Sequence, residues 1–187
     1  MLRGIVDAEL VDRARVGDPN AFTLLYRRYA RSVAAIVAER IRLPEDRADA
    51  VQDTFVHAFE HLGQLRDPER FNSWLYAIAR NAANQTLRHR QRSPQVRADD
   101  FERSDPGPGP VELAELAELA GRVESAGTLL SARDATALTL AVTFGFGPAE
   151  LAVALGVSEG NAKVILHRAR RRLRAVLDAD YKEVAVD

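Results

Sequence analysis

Residues 149–173 read Ala149-Glu150-Leu151-Ala152-Val153-Ala154-Leu155-Gly156-Val157-Ser158-Glu159-Gly160-Asn161-Ala162-Lys163-Val164-Ile165-Leu166-His167-Arg168-Ala169-Arg170-Arg171-Arg172-Leu173. The stretch is a short apolar helix, a turn at Gly156, and a second helix with Ser158 as its N-cap. Ala162, Leu166, Ala169 and Leu173 recur at steps of four, three and four, which puts them on one helical face. Asn161, Lys163, His167, Arg168, Arg170, Arg171, Arg172 and Arg174 fall on the rest of the surface. An apolar seam opposite a cationic, amide-bearing face suits the second helix of a helix-turn-helix, the one that enters the DNA major groove. An ordinary solvated amphipathic helix is the alternative for the same pattern.

Outward from this stretch, the remainder also reads as helix. Ala, Leu and Arg dominate, and strand-like alternation is scarce, so the expected fold class is all-α with two helical domains. Asp18-Pro19-Asn20 precedes a helical run from Ala21 to about Ile41, with Phe22, Leu25, Tyr29, Val33, Ile36 and Val37 inward. A second helix is expected from about Arg47 to Leu62, with Val51, Phe55, Ala58, Phe59 and Leu62 inward. A third runs from Phe71 to about Arg92; it begins aromatic and ends in Arg88, His89, Arg90 and Arg92. Long helices with short connectors make one bundle over residues 1–92. Residues 93–112 hold Asp105-Pro106-Gly107-Pro108-Gly109-Pro110 and read as a flexible acidic linker. Leu113, Leu116 and Leu119 open a second domain over 113–187, in which Ser131 caps a further helix.

The charge is distributed unevenly. Residues 1–92 carry 15 Lys/Arg against 12 Asp/Glu, 93–128 carry 3 against 8, and 129–187 carry 8 against 7. Two mildly basic segments thus flank an acidic one. The chain has no cysteine, which excludes disulfides, thiolate zinc sites and cysteine nucleophiles. No apolar run approaches the roughly 18–20 residues of a membrane span, and the first residues lack the pattern of a secretory signal. A cytoplasmic location without membrane contact is expected. His57-Ala58-Phe59-Glu60-His61 matches a His-x-x-Glu-His zinc-peptidase pattern. A zinc hydrolase would need a third protein ligand, and the neighbouring Phe55, Phe59 and Leu62 make the segment an ordinary bundle helix. No metal site, cofactor or enzymatic activity is expected.

Both halves resemble one family. Asp49-Ala50-Val51-Gln52-Asp53-Thr54-Phe55, followed by Phe71-Asn72-Ser73-Trp74-Leu75-Tyr76-Ala77-Ile78-Ala79-Arg80-Asn81, resembles region two of bacterial sigma factors. Leu130-Ser131-Ala132-Arg133-Asp134, the helix-turn-helix and Leu166-His167-Arg168-Ala169-Arg170 resemble region four. The order, the linker and the length are similar to those of the extracytoplasmic-function (ECF) class. The resemblance implies a protein that binds core RNA polymerase, directs it to promoter DNA for transcription initiation, and has an anti-sigma protein as a further partner.

By the same resemblance Asp49, Gln52 and Asp53 bind core polymerase; a solvated polar face is the alternative for them. The loop Gly63 to Arg70, including Arg66, together with Arg80, Asn81, Arg88 and Arg90, reads the minus-ten element, an assignment consistent with flat aromatic surfaces joined to positive charge. Trp74 is read as bundle core. The recognition-helix residues Asn161, Lys163, Val164, Ile165, His167, Arg168 and Arg171 face the minus-thirty-five element. Val164 and Ile165 stand where the family commonly has a hydroxyl and a cation. They open the alternative of a sigma-like adaptor that binds polymerase or an anti-sigma protein and reads DNA weakly.

Overall fold

A computed structural model describes residues 6–92 and 130–184. Among the described residues there are seven α-helices and no strand: α1 (Asp7–Arg15), α2 (Pro19–Ala38), α3 (Pro44–His61), α4 (Phe71–Arg92), α5 (Ala132–Thr143), α6 (Pro148–Leu155) and α7 (Glu159–Val184). The fold is therefore all-α, as the sequence pattern implies. The linker expected over 93–112 and the helix expected from Leu113 lie outside the described residues.

Proline sets the start of three helices. Pro19, Pro44 and Pro148 each sit in the first turn, where a missing N–H costs nothing and a fixed φ helps. This is why α2 and α3 begin two or three residues earlier than the apolar periodicity suggests. Asp18 caps α2, its carboxylate accepting from Asn20 N at 2.9 Å and Ala21 N at 3.3 Å. Helix α1 is not announced by sequence periodicity, since only Leu10, Val11 and Ala14 form its buried edge. It is held by α2: Asp7 accepts from Arg28 and from the Tyr29 hydroxyl.

The first core lies among α1 to α4. Leu10, Leu25, Val33, Val37, Ile41, Phe71 and Leu75 are almost wholly buried there. Phe55 is also buried and meets Tyr26 edge-on at 4.7 Å. Phe59, expected inward, is instead 59% exposed, with one edge against Phe22 at 5.0 Å. The inward line of α3 runs Ala50, Thr54, Phe55 and Ala58, and position 59 lies on its outer margin.

The second core is smaller. Leu140, Leu151, Leu155, Ile165 and Leu166 are buried along with Ala137, Ala154, Ala162 and Ala169, small residues that let helices approach closely. Ser131 caps α5, accepting from Asp134 N. Gly156 ends α6 at φ +67°, a left-handed conformation that lets Gly156 N and Val157 N bond back to Val153 O and Ala152 O.

The two cores meet. Helix α4 packs on α6, and α2 packs on α5. Tyr76 lies against Phe146, ring centroids 4.9 Å apart. Arg80 donates to Val153 O at 2.6 Å, Asn72 to Glu150 Oε1 at 3.1 Å, and Arg133 to Glu39 Oε1 at 3.1 Å. Polar pairs thus accompany a small aromatic contact.

Candidate nucleic-acid interface

Helix α7 follows the α6 turn directly, so Gly156 and the Ser158 cap set its direction. Ser158 Oγ accepts from Asn161 N at 3.3 Å. Its inward stripe is Ala162, Ile165, Leu166 and Ala169, all buried. Asn161, Lys163, Val164, His167, Arg170, Arg171 and Arg174 are exposed. Lys163 pairs with Glu159 at 2.8 Å, an exposed i,i+4 pair that solvent weakens. The helix therefore presents a cationic face that includes one exposed apolar side chain, Val164.

Two of the expected DNA-facing residues are placed otherwise. Ile165 is 3% exposed and packs with Ala137 and Leu155; it lies three residues after Ala162, a helical repeat that belongs to the inward stripe. Its burial removes half the reason for the weak-reading adaptor alternative. Arg168 does not point freely outward either. It donates through Nε and Nη2 to Asp134 Oδ1, at 3.2 and 2.7 Å, and Arg172 Nη1 donates to Oδ2 of the same carboxylate at 2.5 Å.

Asp134 is wholly buried at the start of α5. Burial opposes its charge, but the hydrogen bonds and charge of Arg168, with help from Ser131 and Arg172, outweigh that and hold its carboxyl below the usual range. Asp134 was not a sequence candidate. The signal that could have found it is an acid in the first turn of a capped helix, facing two arginines spaced i,i+4 on the next long helix.

On α3, Asp49, Gln52 and Asp53 are all exposed on one side, next to exposed Val56 and Glu60. His57 and His61 stack at 4.1 Å, with His61 Nδ1 2.9 Å from His57 O. No group of three or more His, Asp or Glu that could hold a metal occurs among the described residues, so the zinc-hydrolase alternative has no supporting geometry.

The bundle's expected DNA residues divide in the same way as those of α7. Asn81 and Arg88 are exposed. Arg90 is held at 2.5 Å by Asp46 in the first turn of α3, and Arg80 is spent on the Val153 carbonyl. Arg66 lines an open cleft of about 430 Å³ with Asp67, Arg70, Ser73, the half-buried Trp74 and Val153 of α6. Trp74 is thus only partly core. Its ring lies 6.1 Å from Phe71, and it also faces this cleft.

Comparison with known proteins agrees with this architecture. Residues 25–93 match the model of sigma-70 region 2, and residues 122–173 match that of sigma-70 region 4. The chain is 33% identical to the RNA polymerase sigma factor NccH of Alcaligenes xylosoxydans xylosoxydans over 93% of its own length and 96% of the relative's. It is 32% identical to the ECF RNA polymerase sigma factor SigM of Mycobacterium tuberculosis (strain H37Rv), over 91% and 84%. Among solved structures it resembles CnrH in complex with the cytosolic domain of CnrY, with a TM-score of 0.62 and 32% identity over 93% of this chain and 98% of that one. The chain belongs to the sigma-70 family, as a sigma factor of the ECF class. Its function is that of the class: it binds core RNA polymerase and directs transcription initiation at promoters.

Proposed function

We propose a division of labour over this fold. The α3 face with Asp49, Gln52 and Asp53 docks on core RNA polymerase, offering two carboxylates and an amide to a basic surface. The cleft at Arg66, Arg70 and Trp74 takes an unstacked base of the minus-ten element, the indole supplying a flat surface and the guanidiniums holding phosphate. Asn81 and Arg88 extend that cationic track, with Arg90 at its end; Arg80 joins it on releasing the Val153 carbonyl. The exposed face of α7 reads the minus-thirty-five element through Asn161, Lys163, Val164, His167 and Arg171, with Val164 suited to a thymine methyl.

The observation that carries this reading is the segregation of α7: five residues of its expected reading set are exposed, opposite a buried stripe. The protein acts in the cytoplasm alongside polymerase and supplies no catalytic step of its own. By analogy with the CnrH–CnrY complex, an anti-sigma protein is its further partner.

The test is transcription with purified core polymerase from a promoter selected by the wild-type chain. The triple variant Asp49→Ala, Gln52→Ala, Asp53→Ala should lose core binding while keeping its helical content. Undiminished pull-down of core by this variant would remove the α3 assignment.

A further inference from the structure

Arg170, Arg171 and Arg174 of α7 are exposed, but two arginines on one flank are held against the protein. Arg168 and Arg172 lie one turn apart and share the two oxygens of Asp134, whose side chain is 0% exposed while theirs are 39% and 42% exposed. The carboxylate belongs to the first turn of α5, where the neighbouring Arg133 pairs with Glu39 at the C-cap of α2. Ala137, Ala162 and Ala169 are fully buried on these helices and let them approach closely, with Ile165 packed against Ala137. Apolar burial is non-directional, so the roll of a helix about its axis is pinned most sharply where a directional contact crosses the seam. A two-oxygen, two-guanidinium clamp is directional and fixes that roll. A carboxylate buried this deeply also cannot be left without its partners cheaply, which makes the arrangement all-or-none.

We propose that Asp134 is a positioning residue for promoter reading: by clamping Arg168 and Arg172 it sets the rotation of α7 that aims Asn161, Lys163, Val164, His167 and Arg171, and withholds two cations from indiscriminate phosphate contact. The inference rests on the reading of α7 as the minus-thirty-five helix. It changes the role of Arg168 from a DNA ligand to part of the scaffold. It also separates two properties of the helix. Sequence choice comes from the exposed side chains at a fixed angle, and general affinity is limited by how many arginines are free.

The experiment uses the full chain and its holoenzyme with two probes: a duplex selected from a randomised pool by the wild-type holoenzyme, and a shuffled duplex of the same composition. Affinity for each is measured across a salt series, with thermal unfolding as the check on folding. Asp134→Asn should lower the selected-to-shuffled affinity ratio about tenfold, the scale of one misread base pair. It should at the same time tighten shuffled binding and steepen the salt slope, by up to about 0.9 for each released arginine that reaches a phosphate. A merely structural role predicts the opposite for the shuffled probe, since loss of folded protein weakens both probes.

Arg168→Gln with Arg172→Gln should lower the ratio without changing the salt slope, and this pair carries the test should Asp134→Asn fail to fold. A flattened slope in Arg168→Gln would make Arg168 a phosphate ligand and overturn the proposal. So would a wild-type ratio and slope in Asp134→Asn. The control is Lys163→Ala with Arg171→Ala: if it is silent on both probes, α7 does not read DNA and the underlying assignment falls with the proposal. If it weakens selected binding while the Asp134 variants behave as wild type, only the positioning role is lost.

Discussion

The two halves of the molecule hold their charges in opposite places. In the bundle, large apolar side chains such as Phe71, Leu75, Leu25 and Ile41 fill the centre, and ion pairs such as Arg13–Asp18 and Arg90–Asp46 sit at the rim. In the helix-turn-helix half, alanines line much of the seam and the carboxylate of Asp134 lies inside it. A larger unit can rely on packing for both stability and orientation, because buried area grows faster than surface. A smaller one has less area to bury, and a directional polar contact supplies the orientation that packing leaves loose. The difference also says where each half is fragile: the bundle to lost volume, the helix-turn-helix to lost geometry.

Lost volume in the bundle has the largest expected effect. Phe71→Ala removes a fully buried ring and should cost about 3–5 kcal/mol by urea denaturation. A loss below about 1 kcal/mol would mean that the bundle does not depend on central packing as described.

Next is the buried carboxylate itself. Asp134→Ala should destabilise by about 1–2 kcal/mol, less than a sealed ion pair would lose, because both arginine head groups can turn to water. The sign of the accompanying pH effect follows from the lowered pKa. The contribution is complete above the ordinary carboxylate value of 3.8 and is lost as pH falls below it through the folded value. Unfolding midpoints should therefore drop in acid for the wild type and drop less for Asp134→Asn. Asp18 in the bundle is shifted downward too, chiefly by its hydrogen bond from Arg13, so part of the acid sensitivity should survive the Asp134 change. Identical acid profiles for the two proteins would deny the clamp its charge.

A smaller effect is expected where the halves touch. Gly156→Ala forces a side chain into a left-handed position and brings Cβ within 2.9 Å of Arg80 Cδ. The expected loss is about 1 kcal/mol. Adding Arg80→Ala should relieve the contact but not the backbone strain, so the double variant recovers only part of the loss in thermal unfolding. Full recovery would show that the turn tolerates a side chain and that the crowding alone was at fault.

The smallest expected effect lies on the exposed face of α7. Glu159→Ala removes the Lys163 partner and should cost about 0.3–0.5 kcal/mol at low salt and less at high salt. A loss that persists at high salt would mean the pair is more than a surface contact.

Much of this was legible in the sequence because it depends on local periodicity. The α2 to α4 helices, the Ser131 and Ser158 caps, the Gly156 turn and the exposed Asp49, Gln52 and Asp53 all follow from spacing and from residues with particular backbone preferences. Helix α1 was not legible, since three buried positions in nine residues are too few to mark a face and its support comes from Arg28 and Tyr29 on another helix. Phe59 and Ile165 were misread for a related reason: a residue at the margin of an apolar stripe is settled by what lies across from it. Phe59 has only the edge of Phe22 there, while Ile165 has Ala137 and Leu155.

Local spacing is enough to make the described residues helical, to mark most of their helices, and to put a row of cations opposite an apolar seam on one of them. It could not determine which of those cations are free. Arg168 and Arg171 are alike as residues on a basic helix, but the acid that captures one and not the other lies 34 positions earlier in the chain. Arg80 likewise finds its partner, the Val153 carbonyl, 73 positions away. Helical propensity and periodicity act over a few residues, whereas hydrogen bonds and charge pairs act through space. Only the tertiary fold, by closing those separations to under 3 Å, decided which arginines serve the scaffold and which face the solvent.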